Sequence, residues 1–206
     1  MTTQLVLATH NAAKVAELQA ILEGLRVELL DGDDVGLPPV EEIGDSFAAN
    51  ALLKARAGVA ATGLACVADD SGLVVDVLDG APGIFSARWA QRQGHPIGEQ
   101  GIDRANVDVV LQQMRGVPPE DRTARFVCAA ALVLPDGRHE TVEATLEGRL
   151  ADAPRGTGGF GYDPIFHPRG SDRTTAEMSA AEKHAISHRG KAFRALRPAI
   201  ARHLPA

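Results

Sequence analysis

The sequence predicts an α/β or α+β fold built on a mixed sheet, and three stretches carry that prediction. Leu5-Val6-Leu7-Ala8 is a short apolar run, followed by polar Thr9-His10-Asn11 and a helical repeat. Two more apolar runs, Leu64-Ala65-Cys66-Val67 and Leu73-Val74-Val75, flank Ala68-Asp69-Asp70-Ser71-Gly72. Later, the apolar run from Arg125 to Leu134 meets Asp136-Gly137 and then the alternating Val142, Ala144 and Leu146, a hairpin pattern. Strands that alternate with helices early and pair through a hairpin late belong to one mixed sheet.

Taken in order, Val15, Leu18 and Leu22 recur at helical spacing after the first strand, and Gly24 is a plausible stop. The first turn of such a helix offers free N–H groups and the positive dipole end, with Asn11 able to cap it and Lys14 adding a mobile charge. A capped surface helix with a solvated lysine fits the same residues, and there is no glycine-rich phosphate loop. Val27-Glu28-Leu29-Leu30 alternates weakly as a second strand. A loop from Asp31 to Gly44 follows, long enough to be functional or mobile, with Glu41 and Glu42 as candidate metal ligands or a solvated acidic stretch. From about Asp45 to Ala61 the alanine-rich pattern is helical, with Gly63 near its end and Asn50 and Lys54 four apart on one face.

The central stretch admits two readings. Two adjacent carboxylates at a buried strand end carry a desolvation cost unless a cation or hydrogen-bond donors offset it. Mg²⁺, held by one or two carboxylates and substrate phosphates, is the simplest offset. In the other reading the strand exits into a turn, both aspartates face water and Gly72 makes the bend.

Beyond it, Asp79-Gly80-Ala81-Pro82-Gly83 is turn chemistry, and Ile84 to Trp89 carries an arginine among apolar neighbours. Ile102, Val110 and Met114 mark a helix that ends at Gly116. In Gly156-Thr157-Gly158-Gly159-Phe160-Gly161-Tyr162-Asp163-Pro164 the glycines let backbone approach a ligand, and Phe160 and Tyr162 offer flat faces to a nucleobase. Ser179-Ala180-Ala181-Glu182 matches a capping box. His184 and His188 lack the intervening glutamate and third ligand of a zinc site. Lys183, His188 and Arg189 are better suited to a base or a phosphate.

Composition bounds the partners. The net charge of −6, from 21 basic and 27 acidic residues, argues against a nucleic-acid backbone. Cys66 and Cys128 both sit in apolar runs, which points to buried thiols and a reducing cytoplasm. No apolar run approaches a membrane span or a signal peptide.

Six segments in order resemble the inosine triphosphate pyrophosphatase family, the house-cleaning nucleotide hydrolases also called the Ham1 family. They are Thr9-His10-Asn11-Ala12-Ala13-Lys14, Phe47 to Arg56 with Asn50 and Lys54, Ala68 to Leu73, Gly80-Ala81-Pro82-Gly83, Gly156 to Pro164, and Ser187-His188-Arg189-Gly190. The resemblance covers nearly the whole chain. It implies an elongated two-lobed α/β domain over residues 1–206, with a mixed central sheet flanked by helices and an active-site cleft between the lobes. It implies a cytoplasmic homodimer that binds neither nucleic acid nor membrane. The implied reaction is Mg²⁺-dependent hydrolysis of ITP, dITP or XTP to the monophosphate and pyrophosphate. Matched residue by residue, Thr9, His10, Asn11, Ala12, Ala13, Lys14, Lys54 and Ser71 would hold the phosphates. Asp70 would be the proton acceptor and, with Glu41, a metal ligand. Phe160, Gly161, Tyr162, Asp163, Lys183, His188 and Arg189 would surround the base and sugar. His10 departs from the small residue often found there, so its backbone rather than its ring is expected to bind.

Overall fold

The computed structural model describes residues 2–10 and 12–204. Its sheet has six strands: β1 (Thr3–Leu7), β2 (Val27–Leu30), β3 (Ala65–Val75), β4 (Thr123–Val133), β5 (His139–Leu150) and β6 (Phe166–Pro168). Their order is β2-β1-β3-β4-β5-β6. β1 runs parallel to β2, with Leu5 opposite Leu29, and to β3, with Leu7 opposite Val67, whereas β5 and β6 are antiparallel, with Arg149 opposite His167. The helices are α1 (Ala12–Ile21), α2 (Phe47–Thr62), α3 (Trp89–Arg92), α4 (Gly101–Gln113), α5 (Ala180–Ile186) and α6 (His188–His203). The fold is α/β, as the strand–helix alternation and the hairpin predict. No described helix is long and apolar enough to cross a membrane.

The chain divides into two compact units. The first holds the residues up to Asp70, Cys128–Ala144 and those from His188 onward; the second holds Ser71–Val127 and Thr145–Ser187. β3, β4 and β5 each begin in one unit and end in the other.

In the first unit the pleat sorts side chains by parity. Leu5 and Leu7 of β1, Ala65 and Val67 of β3, and Cys128, Ala130 and Leu132 of β4 share one apolar cluster with Leu18 of α1 and Phe193 and Leu196 of α6. The intervening residues face α2. Gly58 of α2 sits so close to the sheet that a methyl group there would lie 2.3 Å from Cys66 Sγ. Small residues at Ala51, Ala55 and Gly58, all buried, give α2 the flat face that allows this approach. The helix starts at Ser46, whose side chain accepts from Ala49 N–H, and ends at Gly63 with φ of 70°, a backbone angle that glycine adopts without strain.

The second unit has its own core, in which Leu73, Val75, Trp89, Val110, Phe126 and Phe166 pack together. The Phe126 and Phe166 rings lie 4.4 Å apart and tilted by 44°, a favourable aromatic geometry. Ser179 and Glu182 form the expected capping box at α5: Ser179 N–H donates to Glu182 Oε2 at 2.8 Å and Glu182 N–H to Ser179 Oγ at 3.2 Å.

β3 differs from the second reading of the central stretch. It runs unbroken through Asp69, Asp70 and Gly72, with no bend at the glycine. The physical reason is that residues on both flanks, Val67 and Ala68 before and Leu73 and Val74 after, are buried, so extended backbone serves both ends.

Candidate functional site

Because β3 alternates, its two adjacent aspartates fall on opposite faces. Asp69 continues the Ala65 and Val67 side, toward α1 and α6. Lys14 of α1 donates to Asp69 Oδ1 at 2.9 Å and Oδ2 at 3.0 Å, and Arg189 Nε of α6 donates to Oδ2 at 3.1 Å. Burial alone would raise this carboxyl's pKa, but Lys14, then Arg189, then Lys54 outweigh it and hold the group well below the usual carboxylate range. Glu17 Oε2 lies 4.0 Å from the far side of the Arg189 guanidinium.

Asp70 continues the Cys66 and Ala68 side, toward α2. Asn50 Nδ2 donates to its Oδ2 at 3.0 Å, and Lys54 Nζ, one helical turn along, lies 3.4 Å from its Oδ1. Asn50 is fully buried, and its Oδ1 accepts from Gly44 N–H at 2.8 Å, which ties the 31–44 loop to α2. Lys54 also donates to Glu42 Oε1 at 2.7 Å. The balance at Asp70 is the reverse of that at Asp69. Burial raises its pKa, Lys54 and the Asn50 bond lower it, Glu42 and Asp69 raise it, and the net direction is up. The Lys54 ammonium is pulled down by burial but ends above its ordinary value because Asp70 and Glu42 surround it. A buried carboxylate with raised proton affinity and a hydrogen-bonded orientation is suited to accept a proton from water.

Asp70 and Glu42 present oxygen atoms to one shared ammonium. Two carboxylates of this kind, completed by phosphate oxygens, form the hard donor set that Mg²⁺ takes. Among the described residues no three His, Cys, Asp or Glu side chains converge as a metal cluster. The resemblance implies Glu41 as the second ligand. In the structure Glu41 is exposed and Glu42, half-buried, reaches Lys54, in a segment from Val40 to Gly44 that alternates half-buried and exposed positions.

At the C-terminal end of β1 a cavity of about 260 Å³ is lined by Thr9, His10, Lys14, Lys54 and Asp69, with the apolar Leu37–Val40 loop along one side. The carboxyl ends of parallel strands are where open α/β sheets bind ligands. Thr9 carbonyl accepts from Gly32 N–H at 2.9 Å, and His10 Nδ1 lies 2.7 Å from Asp33 Oδ1. The ring of His10 is thus engaged with the neighbouring turn. Ala12 and Ala13 open α1, and Asn11 lies outside the described residues.

The second unit carries the glycine–aromatic loop. Phe160 is half exposed, whereas Tyr162 is buried and its hydroxyl donates to Ser86 carbonyl at 2.9 Å. The expected flat face of Tyr162 is therefore core packing, not a surface for a base, because the ring belongs to the cluster around Trp89 and Phe166. Asp163 is buried and saturated. Its Oδ2 accepts from Phe160 N–H at 2.8 Å and from Lys183 Nζ, and its Oδ1 from Thr175 Oγ1 at 2.8 Å. Gly159 makes this possible: with φ of 73°, it has no Cβ to strike Asp163 Oδ2. Lys183 Nζ stands 4.9 Å from the Phe160 ring centre, and Gly161 N–H donates to Asp103 of α4 at 2.9 Å. Loop, Asp163 and α5 thus present one exposed ring and one ammonium together.

The structure therefore gathers the expected residues into two groups. Thr9, His10, Lys14, Lys54, Asp70, His188 and Arg189 belong to the first unit, and Ser71, Phe160, Gly161, Tyr162, Asp163 and Lys183 to the second. Asn50 and Glu42 join the first group. The signal for Asn50 was its i, i+4 pairing with Lys54 on an otherwise alanine-rich helix, and Glu42 was one of the two candidate carboxylates of the 31–44 loop. Glu17, Asp103 and Thr175 had no local signal, since each acts on a residue far along the chain.

Comparisons with known proteins agree with this arrangement of elements. The model of the Ham1 family matches residues 5–199. The chain is 58% identical to a dITP/XTP pyrophosphatase of Streptomyces coelicolor, over 96% of this chain and 97% of that one. Its fold is similar to that of a HAM1 protein from Coxiella burnetii, with a TM-score of 0.87 and 37% identity over 98% of this chain and all of the other. A nucleoside-triphosphatase / dITP/XTP pyrophosphatase from Mycobacterium abscessus is 50% identical, with a TM-score of 0.75 over 95% of this chain and all of that one.

Proposed function

The chain belongs to the Ham1 family, and from that premise we propose that it hydrolyses the deaminated purine nucleotides ITP, dITP and XTP to the monophosphate and pyrophosphate, with Mg²⁺ as cofactor. The observation that carries this reading is the split of the aspartate pair. One carboxylate is consumed by two cations, while its neighbour is buried, oriented by Asn50 and raised in proton affinity.

In this reading the triphosphate lies at the β1 end, where the backbone after Leu7 and the Lys14 and Lys54 ammonium groups meet its oxygens. Lys54 touches Asp70 and Glu42, and phosphate oxygens compete for it. Asp70, with Glu42 or Glu41 from the loop, would hold Mg²⁺, which when bound neutralises charge on the triphosphate and on the pyrophosphate leaving group. Asp70 takes the proton of the attacking water, and the Asn50 amide keeps its carboxylate in one orientation. Phe160 stacks on the base and Lys183 donates to its 6-oxo edge, a contact that the 6-amino group of adenine cannot accept. His188 and Arg189 complete the surroundings of the nucleotide. We also propose a homodimer, which light scattering on the purified protein tests.

The deciding experiment measures pyrophosphate release from ITP, XTP, GTP and ATP, each with Mg²⁺ and with EDTA. Fast release from ITP or XTP that EDTA abolishes is the expected result. Release from all four overturns the account of base choice. Binding of ITP without release from any substrate overturns the catalytic reading in favour of a nucleotide sensor.

A further inference from the structure

We propose that Asp69 is a positioning residue of the hydrolysis proposed above: it touches no atom of the substrate and acts by aiming Lys14 into the phosphate cavity while Arg189 secures it from α6. The inference rests on that reading for the identity of the ligand, a polyphosphate, and on geometry for the role. Both Asp69 oxygens are occupied, Oδ1 by Lys14 and Oδ2 by Lys14 and Arg189, with Cys128 Sγ 4.0 Å from Oδ2. The side chain is 2% exposed. A carboxylate so placed is poorly suited to ligate a metal or meet a phosphate, although it stands next to Asp70 in the chain.

Lys14 is the contrast. Its side chain is 19% exposed and lines the cavity beside Thr9 and Lys54. A lysine ammonium on a flexible four-carbon stem loses rotamer freedom when fixed. The two contacts to Asp69 impose that restriction before any ligand arrives, so a polyphosphate meets a cation already in place. Lys14 and Arg189 together offset Asp69 and the nearby Glu17, so the buried carboxylate does not face a polyanion as an uncompensated charge. Three segments distant in sequence, at residues 14, 69 and 189, are joined by this one carboxylate.

The test uses the full chain and two probes, ITP turnover and inhibition by inorganic tripolyphosphate. Asp69→Asn keeps the shape and removes the charge. It is expected to raise KM for ITP and the inhibition constant of tripolyphosphate by about tenfold or more, the scale of one charged hydrogen bond, with kcat changed far less. Lys14→Met should show the same loss, and the double variant should be no worse than Lys14→Met alone, because the two residues act as a unit. Losses that multiply in the double variant, or a fall in kcat with KM unchanged, overturn the proposal. Should Asp69→Asn fail to fold, the wild-type protein still decides. With ¹⁵N-labelled lysine, a Lys14 ammonium held against Asp69 gives a resolved, slowly exchanging signal without ligand, absent in Lys14→Met, that shifts on adding tripolyphosphate. A fast-exchanging, solvent-averaged Lys14 signal overturns the proposal. Wild-type protein that hydrolyses no nucleotide would refute the proposed activity, while the tripolyphosphate and lysine readouts would still report on Asp69.

Discussion

Asp69 and Asp70 are consecutive on β3, and the pleat turns their carboxylates to opposite faces of the sheet. Asp69 meets Lys14 and Arg189, and Asp70 meets Asn50 and Lys54. The pKa values of the two groups shift in opposite directions as a result: the cations around Asp69 favour its ionised form, and burial of Asp70 favours its protonated form. One dipeptide thus supplies an anion to the framework and, in the proposed reaction, a proton acceptor to the site.

Substituting Asp70→Asn should lower kcat for ITP by at least about a hundredfold, the lower end of what a positioned base contributes. The same change should leave the protein at least as stable at neutral pH. The folded state disfavours the ionised Asp70, and an isosteric amide removes that penalty. Thermal unfolding beside steady-state turnover checks both halves, and a variant that retains turnover removes Asp70 from its role.

Stability should fall with acid chiefly through Asp69. Its folded pKa is depressed, so its contribution is present above the ordinary aspartate value of about 3.9 and is lost as pH falls through the lower, folded value. Asp70, shifted up, contributes with the opposite sign, and its penalty is relieved as pH drops through its raised value. Urea unfolding between about pH 2 and pH 5 should show a smaller slope against pH in Asp69→Asn than in the parent. An unchanged slope would mean that other carboxylates govern acid unfolding.

Phe160→Ala should act on binding alone. Phe160 is 51% exposed and belongs to neither apolar cluster, so its removal should shift the unfolding midpoint little, by no more than the loss of the Lys183 contact to its ring. Loss of base stacking worth about 1–3 kcal/mol should raise KM for ITP by roughly 5- to 150-fold. A variant with parental KM would show that the base does not stack there.

Gly58→Ala separates propensity from packing. Alanine is favoured over glycine by about 1 kcal/mol in a helix interior. Here the added methyl would fall 2.3 Å from Cys66 Sγ, inside contact distance, and overpacking of this kind costs about 1–3 kcal/mol. The helix must move off β3 or the thiol must turn, so a net loss of stability is expected in urea unfolding. A gain would mean that α2 sits less tightly on the sheet.

Much of this protein is legible in the sequence, for local reasons. The strand–loop–helix at the N-terminus, the Asp136-Gly137 hairpin, the capping box at Ser179 and the helical face shared by Asn50 and Lys54 depend on hydrophobic period, turn chemistry and neighbours within one helical turn. Sequence by itself also marked Asp69-Asp70 as costly to bury unless compensated, and left open a turn with both aspartates in water. It left the compensation open, because the partners at residues 14, 50, 54 and 189 come from other elements. Only the tertiary structure decided that Lys14 and Arg189 neutralise Asp69, that Glu42 rather than Glu41 turns toward Lys54, and that Tyr162 is core while Phe160 is exposed. Each of those outcomes depends on which face of a strand or loop meets which helix, a relation between distant segments that spacing along the chain does not encode.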